Sequence, residues 1–157
     1  MSKSELQAGD PAPSFELPRD GAGAISLKGL MGHKIALYFY PKDDTSGCTK
    51  EAIEFNGLKK DFEAAGTRIL GVSPDSVIKH DKFKAKHDLA IDLLSDESKD
   101  MLTAYGVWVE KSMYGRKYMG VERTTFLIDQ HGKILRVWRK VKVPGHAAEV
   151  LEAARSA

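Results

Sequence analysis

The sequence has a single cysteine, Cys48, among 157 residues. A disulfide framework is therefore excluded, and so is a thiolate-rich zinc site, which needs several sulfurs at close spacing. Any redox chemistry of this chain rests on one sulfur of its own. An excess of charge is also missing: 24 Lys and Arg stand against 22 Asp and Glu, for a net charge of +2. That balance excludes a partner held by bulk electrostatics, so neither nucleic acid nor a membrane surface is expected. Long apolar runs are absent. The longest, residues 35–40, falls far short of the roughly 20 that span a bilayer. Residues 1–5 carry charge with no apolar stretch behind it, so no leader peptide is expected and the expected location is cytoplasmic. There is no internal repeat, low-complexity segment or glycine-rich phosphate loop. What is present is 42% hydrophobic and 29% charged, ordinary for a folded chain, and the length fits one domain over 1–157.

Hydrophobic periodicity lays out the elements. Turn residues at 18–21 separate the short apolar runs 15–17 and 25–27, which suggests an N-terminal β-hairpin. Residues 34–40 form a continuous β-prone run ending at Pro41, the signature of a buried strand. From Cys48 the period changes to three and four: Ala52, Phe55, Leu58, Phe62 and Ala65 predict one amphipathic helix, closed by Gly66. A strand at 68–73, a polar helix at 75–87, a strand at 91–94 and a helix at 97–105 follow, with 107–109 as strand or loop. Strands at 124–128 and 134–138 flank the turn 129–132, and a last helix carries Ala147, Val150, Leu151 and Ala154. Strands alternating with helices imply a central mixed sheet with helices on both faces, parallel except for the terminal hairpin. The class is α/β, with a thioredoxin-like layout.

Cys48 opens the helix that follows the buried strand. A free cysteine is most often a small inert apolar residue. At a helix start, however, unpaired N–H groups and the helix dipole favour an anion, and the thiolate is the reactive form of cysteine. The approach to it reads Thr45-Ser46-Gly47-Cys48, a Thr-x-x-Cys where a thioredoxin has Cys-x-x-Cys. In such a layout the start of the 124–128 strand lies beside the start of the cysteine-bearing helix. Arg123 is thereby brought toward Cys48, where a guanidinium stabilises a thiolate and hydrogen-bonds an oxygen-containing substrate.

The run Phe39-Tyr40-Pro41-Lys42-Asp43-Asp44-Thr45-Ser46-Gly47-Cys48-Thr49-Lys50-Glu51-Ala52 resembles the active-site signature of the peroxiredoxins, in particular the peroxiredoxin Q or bacterioferritin-comigratory subfamily. Residues 71–76, the stretches 105–108 and 110–116, and residues 122–129 are similar to the same subfamily. The resemblance implies a thiol peroxidase acting on hydrogen peroxide and organic hydroperoxides. Cys48 then corresponds to the peroxidatic nucleophile, which becomes sulfenic acid. Thr45, with the backbone around Gly47 and Cys48, corresponds to the group that holds the peroxide oxygens. Arg123 orients thiolate and peroxide, Pro41 shapes the pocket, and Glu51 positions the arginine. No metal, flavin or haem is implied, and a monomer is.

The sequence also departs from the subfamily. Many members carry a second, resolving cysteine five residues after the first or in the following helix; here Ile53 and the run Phe83-Lys84-Ala85 occupy those places. The resemblance thus implies a one-cysteine enzyme, reduced by an external thiol such as thioredoxin, glutaredoxin or a small thiol. Ser46 stands where proline is common. The alternative function is a peroxide sensor or redox-dependent binding protein that signals through oxidised Cys48. The five histidines, at 33, 80, 87, 131 and 146, show no metal-ligand spacing. His80 and His87 share one helical face, where solvent exposure is expected. Trp108 and the tyrosines at 114 and 118 are expected to pack rather than bind a ligand, although the resemblance places them near the pocket. Arg136, Arg139, Lys140 and Lys142 around Trp138 read as a solvated strand face and loop.

Overall fold

A strand places alternate side chains on opposite faces, and in residues 34–40 both faces are apolar. Ile35, Leu37 and Phe39 enter one core; Ala36, Tyr38 and Tyr40 enter another. This strand is the centre of the computed structural model, which describes residues 5–21 and 23–157. The stretch 1–4, within the segment read as lacking a leader, and Ala22 lie outside the described residues.

The elements in chain order are β1 (Glu16–Pro18), β2 (Ala24–Ser26), β3 (Lys34–Phe39), α1 (Ser46–Gly57), α2 (Lys59–Ala64), β4 (Thr67–Ser73), α3 (Val77–His87), β5 (Asp92–Ser95), α4 (Asp100–Ala104), β6 (Trp108–Met113), β7 (Arg116–Val121), β8 (Thr124–Ile128), β9 (Ile134–Trp138) and α5 (His146–Ser156). The main sheet runs β5-β4-β3-β8-β9. β3, β4 and β5 are parallel, while β8 is antiparallel to both β3 and β9. This is the mixed sheet and thioredoxin-like order expected from the sequence. One core contains Phe55 of α1, Phe62 of α2, Phe83 of α3 and Val150 of α5. The other contains Met101 and Leu102 of α4 with Ile25 of the β1–β2 hairpin. Among the described residues no helix is long and apolar enough to cross a membrane.

Two elements differ from the expected pattern. The helix predicted over 48–65 is two helices, with Leu58 between them at φ −103° and ψ 7°. Gly57, a poor helix former, ends the first. Phe55 and Phe62 still reach one core, so the apolar period runs unbroken across the joint. The second difference is β6–β7, an antiparallel hairpin outside the main sheet. Its tip is Tyr114-Gly115, both at positive φ, so Met113 and Arg116 pair directly. Tyr114 is 98% exposed and Tyr118 is also exposed, which corrects the expectation that they pack.

Gly71 of β4 is required for its lack of a side chain. A Cβ there would stand 2.8 Å from the Tyr38 ring and 2.9 Å from Leu93. Tyr38 is buried and stacked on Phe55 with ring centroids 4.6 Å apart, so it has little room to yield. Gly71→Ala is expected to cost about 1–3 kcal/mol through overpacking. The check is a urea titration, in which an unchanged midpoint would mean the ring moves freely.

Candidate active site

α1 starts two residues earlier than expected, so Cys48 lies inside its first turn. Thr45 is the N-cap with extended backbone, φ −96° and ψ 157°. Thr49 N–H donates to the Thr45 carbonyl at 2.8 Å, the helical i to i−4 pattern. The N–H groups of Ser46, Gly47 and Cys48 precede that bond and carry the positive end of the helix dipole to the sulfur's surroundings. The Cys48 side chain itself is nearly covered, at 2% exposure.

Sheet register brings the arginine in. β8 pairs with β3 so that Thr124 lies opposite Phe39. The residue before β8 therefore stands beside the residues that leave β3. The Arg123 carbonyl accepts from Val141 N–H at 3.0 Å, which pins its backbone. Its Nη2 donates to Cys48 Sγ at 3.1 Å, and its Nη1 donates to Glu51 Oε1 at 2.5 Å. Cys48 and Glu51 project from one face of α1, three residues apart, so a single guanidinium reaches both. Burial works against the charge on Arg123, but Glu51 and Cys48 beside it outweigh that and hold its pKa above the usual value.

Glu51 is 1% exposed, and its Oε2 has no hydrogen-bond partner among the described residues. Burial pushes its carboxyl up and Arg123 pulls it only part of the way back, leaving it at about 7. A carboxylate that holds an arginine by one oxygen pays a desolvation cost on the other.

The remaining expected residues surround this pair. Gly47 lies against the guanidinium: a Cβ added there would stand 3.4 Å from Arg123 Nη2. Thr45 is exposed, and its hydroxyl donates to the Lys42 carbonyl at 2.9 Å. Its proton is thereby committed, and its oxygen is left as an acceptor. Pro41 is half-buried, two residues after the end of β3. The geometry thus joins Cys48, Arg123, Glu51 and Gly47, with Thr45 at the rim, and gives Pro41 no polar contact with the sulfur.

Beneath the loop 41–45 lies a buried polar network that the sequence reading missed. Asp43 Oδ1 accepts from the Tyr40 hydroxyl at 2.5 Å, and its Oδ2 lies 2.6 Å from His80 Nδ1. The Asp43 N–H donates to Asp75 Oδ2 at 2.7 Å, an oxygen that also accepts from the Ser73 hydroxyl. His80 is fully buried rather than solvent-exposed, which corrects the expectation for that residue. Burial alone would lower its pKa, but Asp43 outweighs burial and holds it above the usual histidine value.

Comparisons with known proteins identify the family. The AhpC/TSA family profile matches residues 8–137. A putative peroxiredoxin Bcp from Coxiella burnetii is 51% identical over 146 residues, 93% of this chain and 97% of that protein. The chain belongs to the AhpC/TSA family, as a peroxiredoxin of the Bcp, or peroxiredoxin Q, group. Among solved structures, a cysteine-to-serine mutant of Xylella fastidiosa peroxiredoxin Q superposes with a TM-score of 0.92 at 40% identity, covering 98% of each chain. The Xanthomonas campestris bacterioferritin comigratory protein, whose structures address its alkyl peroxide reduction activity, gives a TM-score of 0.87 at 45% identity and 90% coverage of each chain.

Peroxiredoxins are thiol peroxidases, and in this one the second sulfur of many relatives has no counterpart. Ile53 is exposed on α1, and on α3 Phe83 is buried while Lys84 pairs with Asp20 at 2.6 Å. A sequence signal for the buried network did exist. Two aspartates precede Cys48, and two histidines lie seven apart on the next polar helix, but neither pair means much without the other.

Proposed function

We propose that this peroxiredoxin reduces hydrogen peroxide and organic hydroperoxides in a one-cysteine cycle, with Cys48 as nucleophile. The observation that carries this reading is the hydrogen bond from Arg123 Nη2 to Cys48 Sγ at 3.1 Å. The sulfur, as thiolate, attacks one peroxide oxygen and the O–O bond breaks. The attacked oxygen stays on sulfur with its hydrogen as sulfenic acid; the other leaves as hydroxide or alkoxide and takes up from solvent one proton, equivalent to the one the thiol released, to become water or alcohol. Arg123 supplies a fixed positive charge where negative charge moves from sulfur onto the leaving oxygen. Gly47 and Cys48 N–H groups add donors at the same place, and Thr45 Oγ1 accepts the hydrogen bond of the peroxide O–H. Glu51 holds the guanidinium in this orientation, and Pro41, two residues after β3, shapes the pocket at the start of the loop. The alkyl peroxide activity studied in the Xanthomonas campestris relative supports organic hydroperoxides as substrates.

Cys48 is the only cysteine, so return to the thiol needs an external reductant. One thiol condenses with the sulfenic acid and releases water; a second displaces Cys48 from the mixed disulfide. Thioredoxin, a glutaredoxin and a small thiol all supply this chemistry. Because Cys48 is nearly covered, the start of α1 opens to admit them. The test counts peroxide consumed per Cys48 with each reductant in turn. Many equivalents with at least one reductant are expected. One equivalent and a stop with all of them would replace the enzyme by a sensor that signals through oxidised Cys48.

A further inference from the structure

The loop that leads into Cys48 is held from one side by a single helix. α3 presents His80 and His87, two turns apart, to adjacent aspartates of that loop. His80 Nδ1 lies 2.6 Å from Asp43 Oδ2 inside the protein, and His87 Nε2 lies 3.0 Å from Asp44 Oδ1 at the surface. Lys86 Nζ adds a third contact, to Asp44 Oδ2 at 2.7 Å. Asp44 sits at φ 61°, in the left-handed region, so its backbone is held in a conformation few side chains favour. The catalytic chemistry described above uses none of these five residues.

The inner contact has a defined proton arrangement. His80 Nε2 faces the Leu94 carbonyl at 2.8 Å, and a carbonyl only accepts, so Nε2 carries a proton and donates it. Nδ1 and Asp43 Oδ2 therefore share one further proton, bound to one or the other. The second Asp43 oxygen takes the Tyr40 hydroxyl, and the Asp43 N–H is taken by Asp75. Each of these polar atoms of Asp43 is paired inside the fold, and the three partners come from the residue after β3, from α3 and from the turn before α3. Lifting the loop breaks several of these buried bonds together, and each one left unpaired is costly.

We infer that His80 and Asp43, assisted by Asp44 with Lys86 and His87, form a two-point clamp that holds the 41–45 loop closed over Cys48. Closure favours reaction with peroxide, and release favours reaction with the reducing thiol. These are positioning residues that act through the loop, and they do not touch the reacting atoms. The inference rests on the peroxide-reducing cycle above and assigns the balance between its two halves to α3.

The test measures both half-reactions on the full chain. Oxidation of Cys48 by hydrogen peroxide is followed by competition with a haem peroxidase. Reduction of the preformed sulfenic acid is followed with dithiothreitol. His80→Asn is expected to slow oxidation roughly tenfold, the scale of one lost buried hydrogen bond to a charged group, without slowing reduction. The surface pair Lys86→Ala with His87→Ala is expected to shift the ratio of the two rates in the same direction by about two- to threefold, the scale of exposed ion pairs. A merely structural role lowers both rates together and leaves their ratio alone. An unchanged ratio in the folded variants would overturn the clamp, and if His80→Asn does not fold the surface pair decides. Failure of the wild-type protein to consume peroxide would instead overturn the proposed cycle itself, which keeps the two readings apart.

Discussion

Arg123→Ala is expected to slow peroxide reduction by roughly 100- to 1,000-fold, the usual loss on removing a preaimed donor to developing charge. Reaction of Cys48 with a neutral alkylating agent should fall far less. Any change in the fraction of sulfur present as thiolate alters both reactions alike, so it cancels in their ratio. What remains is the stabilisation of charge on the leaving oxygen, which only the peroxide reaction needs. The two contacts of the guanidinium, to Sγ at 3.1 Å and to Glu51 at 2.5 Å, fix it before substrate arrives. Arg123→Lys keeps a charge but has no planar fork to span both partners, so an intermediate loss is expected. Equal losses toward peroxide and toward the alkylating agent would sink the assignment. Circular dichroism on each variant confirms that the comparison is made on folded protein.

Glu51→Gln separates stability from activity. In the folded protein burial places the Glu51 carboxyl at about 7, against 4.5 ordinarily. Between those values the native state keeps a proton that the unfolded chain has released. Stability therefore falls as pH rises through this window, by on the order of 3 kcal/mol in all. Glutamine has no such proton, so the variant should gain on the wild type as the pH is raised from 5 to 8. Denaturant midpoints at the two pH values read this directly, and a difference between the proteins that does not change with pH would refute it. Activity should move the other way, because the ionised carboxylate grips Arg123 more firmly than an amide does. The charge that orients the guanidinium sits on a buried carboxyl whose other oxygen has no hydrogen-bond partner among the described residues.

The path from sequence to site was uneven, for physical reasons. β3 was legible because a strand apolar on both faces has few other homes, and Cys48 at a helix start follows from the change of period behind it. Arg123 was legible only through topology: without β8 antiparallel to β3, nothing links residues 75 positions apart. The break at Gly57 was hidden because α1 and α2 pack on one core, and an apolar period does not register a kink. The β6–β7 hairpin was hidden because both strands are largely exposed and its Tyr114-Gly115 tip is a weak turn signal. His80 was misread because a polar helix gives no sign of which side chain turns inward when its partner lies 37 residues away. Thr45 as the N-cap was hidden because the apolar period begins only at Cys48, and its bond to Lys42 depends on a loop conformation no pattern encodes.

The solitary sulfur also sets the pace of the whole cycle. A relative with two cysteines traps its oxidised sulfur at once, within its own chain, whereas here that sulfur waits for a collision. Its lifetime then scales inversely with the concentration of reducing partner, and every moment of waiting is open to a second peroxide and irreversible conversion to the sulfinic acid. In the proposed one-cysteine cycle, survival under a burst of oxidant depends on the supply of thiol.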